Sequence, residues 1–220
     1  INALKKNLTD LNEFENKIRL IANLEKDKES DGVFGVGGSV PEDINPVIAL
    51  EKNHAGLTKD IHTMLEGLNN AAQYQNDNFD QLIKFLNEQR NLLASTPAIN
   101  PIDSGGYISS GFGYRTSPFT GKKEFHSGLD IAIRKGSPVY ATANGIIGFA
   151  NKKGLLGNLV TINHGHGLIT RYGHLDKILV KRGTKIKRGD IIGLVGNTGR
   201  STGPHVHYEV RLNKVPVNPK

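Results

Sequence analysis

Two short segments of the chain carry residue types that bind metal ions. His126 and Asp130 lie four residues apart in FHSGLDIA, and His205 and His207 lie two residues apart in GPHVHYEV. Successive side chains of an extended strand alternate between its two faces, so each pair is expected to share one face. Two imidazoles and a carboxylate form a zinc site with an open fourth position, where water is activated. The pattern predicts a zinc hydrolase in which the two segments converge on one ion.

The charge of the chain is divided between its halves. Residues 1–100 carry a net charge of −5, from 10 basic and 15 acidic side chains, and residues 101–220 carry +12, from 18 and 6. A basic half would concentrate near an anionic polymer, which could be nucleic acid, anionic lipid or cell wall. Only 6% of residues are aromatic and no known nucleic-acid module is present, so no nucleic-acid partner is expected. With no cysteine, a thiolate zinc site is excluded.

Apolar residues spaced by three and four predict two amphipathic helices in the acidic half. The first spans about residues 3–27. The glycines of 32–38 and Pro41 break any helix, and Asn45 with Pro46 starts a second one that Pro97 closes. At about 49 residues this helix would be roughly 70 Å long. So long a helix needs a partner along its length, and the first helix supplies it only in part, so we expect a coiled-coil hairpin.

The basic half has a different pattern, with short β-branched runs such as GIIGFA and NLVTIN separated by glycines. This predicts a mainly antiparallel β domain, and the lack of long helical patterns disfavours alternating strands and helices. The predicted fold is therefore a multidomain α+β chain, with the helical coiled-coil hairpin followed by an antiparallel β-sandwich catalytic domain. The expected boundaries are 1–97 for the helical region, 98–106 for a linker and 107–220 for the zinc peptidase domain.

Six segments, in chain order, resemble the lysostaphin-type (LytM-like) zinc endopeptidases, which cut peptidoglycan peptides: ISSGFGYR, FHSGLDIA, NLVTINHGHG, RYGHL, VKRGD and GNTGRSTGPHVHYE. The resemblance covers about residues 105–215. It implies that one zinc ion per chain is bound by His126, Asp130 and His207, and that His174 and His205 are catalytic. We assign His205 as the base and His174 as the oxyanion stabiliser, and the reverse assignment stays open.

Three further polar side chains accompany these motifs. Glu209 has the strand parity of His205 and His207, so it either orients an imidazole or forms a surface salt bridge. His164 and His166 flank Gly165 at a predicted strand end. We expect a turn role or solvent exposure for both, rather than metal ligation.

The resemblance implies an exported endopeptidase that hydrolyses stem peptides or cross-links of bacterial peptidoglycan. It leaves open whether the bond is in a Gly-Gly bridge or joins D-Ala to a diamino acid. The competing interpretation is a non-hydrolytic relative that activates another cell-wall hydrolase, but such relatives generally lose zinc ligands that are all present here.

The expected location is the periplasm or cell envelope. No signal or membrane anchor is visible, so either would have to lie upstream of Ile1. The helices are expected to form a homodimer, bind an envelope protein or cover part of the catalytic groove.

Overall fold

The structure, a computed structural model, describes residues 2–22, 54–103 and 105–220. Two helices come first, α1 (Asn2–Ile21) and α2 (His54–Ser95). The predicted end of the first helix, at residues 23–27, lies outside the described residues, as do the glycine-rich break and the predicted start at Asn45. Helix α2 ends two residues before Pro97, because the residue preceding a proline disfavours helical backbone.

The chain divides into two compact units, Ile1–Glu88 and Gln89–Lys220. In the first unit, α1 contacts α2 where Gln75 Nε2 donates a hydrogen bond of 2.7 Å to Glu15 Oε2. Of the apolar residues spaced by three and four in α2, Leu68 and Leu82 are buried, whereas Met64 and Leu86 are exposed. The coiled-coil hairpin remains a prediction. Neither described helix is long and apolar enough to cross a membrane.

The second unit begins in the last turns of α2. The segment predicted as a linker packs against the β strands, because Ile102 is 4% exposed and belongs to the hydrophobic core. The backbone N–H of Tyr140 also donates to the carbonyl of Pro101 at 2.8 Å. Arg188 Nη2 donates to the carbonyl of Thr96 at 3.0 Å. The predicted domain boundaries stay a prediction, and these contacts place residues 96–102 with the β unit.

The strands of this unit are short and follow one another along the chain. In chain order they are β1 (Tyr107–Ser110), β2 (Gly113–Thr116), β3 (Lys123–His126), β4 (Leu129–Ala132), β5 (Pro138–Tyr140), β6 (Gly145–Lys152), β7 (Asn158–Gly165), β8 (Leu168–Leu175), β9 (Lys177–Ile178), β10 (Lys185–Ile186), β11 (Ile191–Leu194), β12 (His205–Leu212) and β13 (Val215–Val217). A single 3-10 turn, Gly154–Leu156, separates β6 from β7.

Within the described residues, the strands form three sheets. The largest has the order β1-β4-β12-β8-β7-β6-β10, with β13 also paired to β12, and the others are β5-β11-β9 and the hairpin β2-β3. Every named strand pair in the described residues is antiparallel, which confirms the predicted mainly antiparallel β domain. Strand β12 lies between β4 and β8, at the centre of the site described below.

One core joins the large sheet to the three-stranded sheet, because Val139 of β5 and Ile192 of β11 are fully buried in the same cluster as Tyr172 of β8. Strand β12 contributes every second residue to this core: Val206, Tyr208 and Val210. Each such burial contributes roughly 1.5–3 kcal/mol for an aliphatic side chain. The alternation leaves the odd-numbered residues of β12 on the opposite face.

Candidate metal centre and active site

The opposite face of β12 carries four polar residues, and three of them, His205, His207 and Glu209, line one cavity. The strand register places His207 directly across from Asp130 on β4 and from Gly173 on β8. Asp130 is therefore a cross-strand neighbour of His207, and His174 follows Gly173 on the other side. The central position of β12 brings residues that are far apart in sequence to one place.

His126 reaches the same place from a different strand. It ends β3, whereas Asp130 lies on β4, and the chain turns between them at Ser127 and Gly128. A side chain at Gly128 would clash with the carbonyl oxygen of Tyr208, so glycine permits this close approach to β12. The expectation that His126 and Asp130 share one strand face is therefore wrong, because the turn, rather than strand alternation, brings them together.

Three donor atoms meet in the cavity. His126 Nε2 lies 3.1 Å from Asp130 Oδ1 and 3.1 Å from His207 Nδ1, and the last two atoms are 2.8 Å apart. In the described part of the chain, these residues form the one group of three or more His, Cys, Asp and Glu side chains close enough to hold a metal ion. Ligands at tetrahedral zinc lie about 3.3–3.6 Å apart, close to these separations. Two nitrogens and one carboxylate oxygen thus fit a single zinc ion.

The far nitrogen of each histidine is fixed by a hydrogen bond. His126 Nδ1 lies 2.7 Å from the carbonyl oxygen of Gly111, so it carries the proton and leaves Nε2 as the free donor atom. His207 Nε2 lies 3.2 Å from Oε1 of Glu209, which leaves Nδ1 facing Asp130. These contacts select in both rings the tautomer that a metal requires.

Glu209 is buried at the end of a polar network, with 3% of its surface exposed. Besides His207, it accepts a 2.5 Å hydrogen bond from Ser127 Oγ and lies 3.4 Å from Arg171 Nη1. Burial opposes its ionisation, but the hydrogen bonds from His207 and Ser127 outweigh burial and lower the pKa of Glu209 to about 2. Of the two roles considered for Glu209, the contacts match the one that orients an imidazole.

Asp130 uses both carboxylate oxygens. Oδ1 faces His126 and His207, and Oδ2 lies 3.3 Å from Nη2 of Arg115 on β2. Burial opposes ionisation, but when the two imidazoles are protonated their hydrogen bonds to Oδ1 outweigh burial and hold the pKa of Asp130 well below its usual range. Arg115 was not singled out from the sequence, although it ends the ISSGFGYR segment, and only the hairpin β2-β3 reveals its partner.

His174 and His205 face each other across the cavity, with ring centroids 4.7 Å apart. His174 Nδ1 donates to the carbonyl of Thr198 at 2.7 Å, and His205 Nδ1 donates to that of Gly203 at 2.8 Å. When neutral, each ring therefore has its free lone pair on Nε2. His174 has a φ of 60°, a left-handed conformation that is uncommon outside glycine and recurs at functional sites. Burial lowers the pKa of His174 to about 4.

All five predicted site residues line a single cavity of about 690 Å³. The two other histidines of this unit behave differently. His166 is exposed in a turn with a φ of 49°, as expected. His164 is buried, so the expected turn or solvent role is wrong for it. Its Nδ1 donates to the carbonyl of Asn144 at 2.6 Å and its Nε2 lies 2.8 Å from Thr170 Oγ1, so His164 is part of the interior.

Comparison with known proteins places this domain in a family. Residues 124–219 match the model of peptidase family M23. The peptidoglycan DD-endopeptidase ShyA of Vibrio cholerae is 48% identical over 119 residues, which are 54% of this chain and 28% of that protein. The matched part spans about a quarter of the length of the curated relatives.

Two solved structures resemble the same region. A zinc-containing peptidase from Vibrio cholerae is 45% identical, with a TM-score of 0.52 over 55% of this chain and 38% of that one. The catalytic domain of the prophage-encoded M23 protein EnpA from Enterococcus faecalis, in a mutant form, is 36% identical, with a TM-score of 0.49 over 57% of this chain and 95% of that one. The family match and the similarity to the Vibrio cholerae peptidase confirm the resemblance drawn from the motifs: residues 124–219 of this chain match peptidase family M23.

Proposed function

We propose that this protein is a zinc-dependent endopeptidase that hydrolyses peptide cross-links or stem peptides of bacterial peptidoglycan. The observation that carries the proposal is the convergence of the three donor atoms of His126, Asp130 and His207, beside two histidines with free Nε2 lone pairs. Its relative ShyA is named a peptidoglycan DD-endopeptidase, which supports the same substrate class.

His126, Asp130 and His207 are proposed to hold one zinc ion per chain. When bound, zinc polarises a carbonyl group and lowers the pKa of a coordinated water. Neighbouring residues hold the ligands in place. Gly111 and Glu209 hydrogen-bond to the imidazoles of His126 and His207, and Arg115 forms an ion pair with Oδ2 of Asp130. Because burial and hydrogen bonding restrict these side chains, little reorganisation is needed on binding.

His205 is proposed as the general base that takes a proton from the attacking water at Nε2 and later delivers one to the leaving amine. The N–H of its Nδ1 is committed to Gly203, so the ring presents a fixed acceptor atom to the cavity. Burial lowers the pKa of His174 to about 4, so this ring holds a proton weakly at neutral pH and is a poor general base.

The oxyanion role predicted for His174 has a chemical requirement. Its Nδ1 proton is directed at Thr198, so Nε2 donates to a developing oxyanion only when the ring is protonated. Burial disfavours that form before substrate binds. A neutral His174 instead accepts a hydrogen bond at Nε2 and orients the water. We propose this orienting role at neutral pH, and oxyanion donation for the protonated ring.

The competing function, a non-hydrolytic activator of another hydrolase, needs a groove but no working site. The five site residues are all present and share one cavity, which favours the enzyme. We further propose that the protein acts in the cell envelope and that the helical region recruits a second copy or an envelope protein. Exposed apolar side chains of α1 and α2, such as Phe14 and Ile61, support such a contact.

Mass spectrometry of digested cell walls tests the proposed function. Purified peptidoglycan of two types, one cross-linked through D-Ala to a diamino acid and one through Gly-Gly bridges, is incubated with the zinc-loaded chain. We expect cross-linked fragments of at least one type to become monomers with the mass of one added water, and the His207→Ala variant to leave them intact. Intact cross-links and stem peptides in both walls would contradict the proposal.

A further inference from the structure

Arg200 lies on a loop that the structure holds in place at the rim of the cavity. Its backbone N–H donates to the carbonyl of Leu155 at 2.8 Å. The preceding Gly199 has a φ of 76°, and a side chain there would clash with the backbone of Leu155 and Gly157. Two residues before Arg200, the carbonyl of Thr198 orients His174. The segment that fixes a proposed catalytic histidine therefore also fixes the position of Arg200.

The guanidinium group of Arg200 is held in place by an aromatic ring but forms only a weak ion pair. Its central carbon lies 5.1 Å from the ring centroid of Phe119, a cation–π contact that restrains the side chain. Nη2 lies 3.5 Å from Oε2 of Glu124, and the two side chains are 41% and 39% exposed. An exposed ion pair this long contributes little and is readily exchanged. Glu124 has a shorter bond elsewhere, a 2.8 Å hydrogen bond from Thr120 Oγ1.

Two other charged residues that line the cavity have partners that hold them in the metal centre. Arg115 pairs with Asp130, and Glu209 accepts hydrogen bonds from His207 and Ser127. Arg200 thus combines a lining position, a restrained side chain and a partner it can exchange. A guanidinium group in this state is suited to bind a carboxylate through two parallel hydrogen bonds.

We propose that Arg200 binds a carboxylate of the substrate next to the scissile amide, and so selects cross-links to a diamino dicarboxylic acid. This inference rests on the proposed function. In an amide from D-Ala to diaminopimelate, the carbon attached to the scissile nitrogen also carries a carboxylate. In the corresponding amide to lysine, that carbon carries only hydrogens. The carboxylate displaces Glu124 from Arg200 and fixes the leaving-group side of the bond.

Hydrolysis of three synthetic peptides tests this role. The peptides contain D-Ala linked to diaminopimelate, to diaminopimelate with the neighbouring carboxyl group amidated, and to lysine. For the full chain with zinc, we expect kcat/KM to be at least about tenfold higher for the free carboxylate, as for a hydrogen-bonded charge. Arg200→Gln should lower kcat/KM about tenfold or more for that peptide alone. Arg182→Gln, at an exposed residue outside the cavity, makes the same charge change and should leave all three rates unaltered.

A second variant separates recognition from structure. Glu124→Gln removes the partner of Arg200 and should retain the preference for the carboxylate; if it reproduces the loss seen in Arg200→Gln, the pair is structural and the inference is wrong. An equal loss on all three peptides in Arg200→Gln, or a preserved preference, would also overturn it.

If the native chain cleaves none of the three peptides, the proposed function fails for these bonds, and the binding of the same peptides, measured by calorimetry, decides the role of Arg200. Tighter binding of the carboxylate peptide that Arg200→Gln abolishes supports it, and equal binding of all three overturns it.

Discussion

Oε1 of Glu209 lies 3.2 Å from Nε2 of His207, on the side of the imidazole opposite the proposed metal. The two residues are separated by one position on β12, so both point to the same face of the strand. This relationship gives Glu209 a role that its sequence position left undecided. It keeps the ring in the tautomer and orientation in which Nδ1 can bind zinc.

Glu209→Gln should therefore weaken zinc binding about tenfold to a hundredfold without unfolding the domain, because a neutral amide orients the imidazole less strongly than a carboxylate. Competition with a zinc chelator measures the dissociation constant. Glu124→Gln is the matched control, since it removes a carboxylate at the cavity rim that is not hydrogen-bonded to a proposed ligand. Equal zinc affinities in the two variants would show that Glu209 does not position His207.

His174→Ala and His205→Ala should each lower kcat by about a hundredfold or more, the usual scale for acid–base and oxyanion groups. Hydrolysis of purified cross-linked peptides provides the rates. Near-native activity in either variant would exclude an essential role for that histidine. The pH profile of the native enzyme separates the two roles proposed for His174. If the neutral ring orients the water, activity persists well above pH 6; if the protonated ring, with a pKa of about 4, donates to the oxyanion, activity is lost at that pH.

A fragment of residues 89–220 should fold and bind zinc, whereas a fragment beginning at residue 103 should be less stable by about 2 kcal/mol or more. The shorter fragment lacks the core residue Ile102. It also lacks the carbonyl group of Pro101, which accepts a hydrogen bond from the backbone N–H of Tyr140. Denaturant unfolding of both zinc-loaded fragments gives the difference. Equal stability would mean that residues 89–102 are only a linker, and an insoluble 89–220 would mean that the first unit is needed for folding.

His164 should make stability depend on pH. Burial lowers its pKa below the ordinary value of about 6.5. Above pH 6.5, His164 is neutral in the folded and in the unfolded chain. Below pH 6.5, it binds a proton more readily in the unfolded chain than in the folded chain, so the free energy of unfolding falls. His164→Asn cannot titrate, so its unfolding free energy should change less between pH 7 and pH 5.5 than that of the native chain. Identical slopes would contradict this account of His164.

The site was more predictable from sequence than the reasons for its geometry. Residue types and spacing pointed to His126, Asp130, His205 and His207, and the family resemblance named three of them, His126, Asp130 and His207, as the predicted zinc ligands. The strand alternation invoked for His205 and His207 holds, but the convergence of His126 and Asp130 depends on the turn at Gly128. Glycine is needed in this turn because a side chain there would clash with β12, which is remote in sequence. No local pattern contains that information.

Residues that act through long-range contacts were the hardest to recognise. In the sequence, nothing distinguishes Arg115 and Arg200 from other arginines. Their proposed roles follow from the partners that the hairpin β2-β3 and the loop before β12 bring close to them, Asp130 and Glu124. His164 looked like a turn residue because it precedes Gly165, yet the β7-β8 pairing buries it beside Thr170. The antiparallel class of the fold, in contrast, follows from short β-branched runs and glycine spacing, which are local.

Two histidines on one strand are proposed to have different roles: His207 binds the metal and His205 transfers protons. Zinc content of the purified His207→Ala and His205→Ala variants, measured by elemental mass spectrometry, tests this most directly. We expect both variants to be folded, with zinc lost from His207→Ala and present at about one ion per chain in His205→Ala. Stoichiometric zinc in His207→Ala, or its loss from folded His205→Ala, would contradict the account.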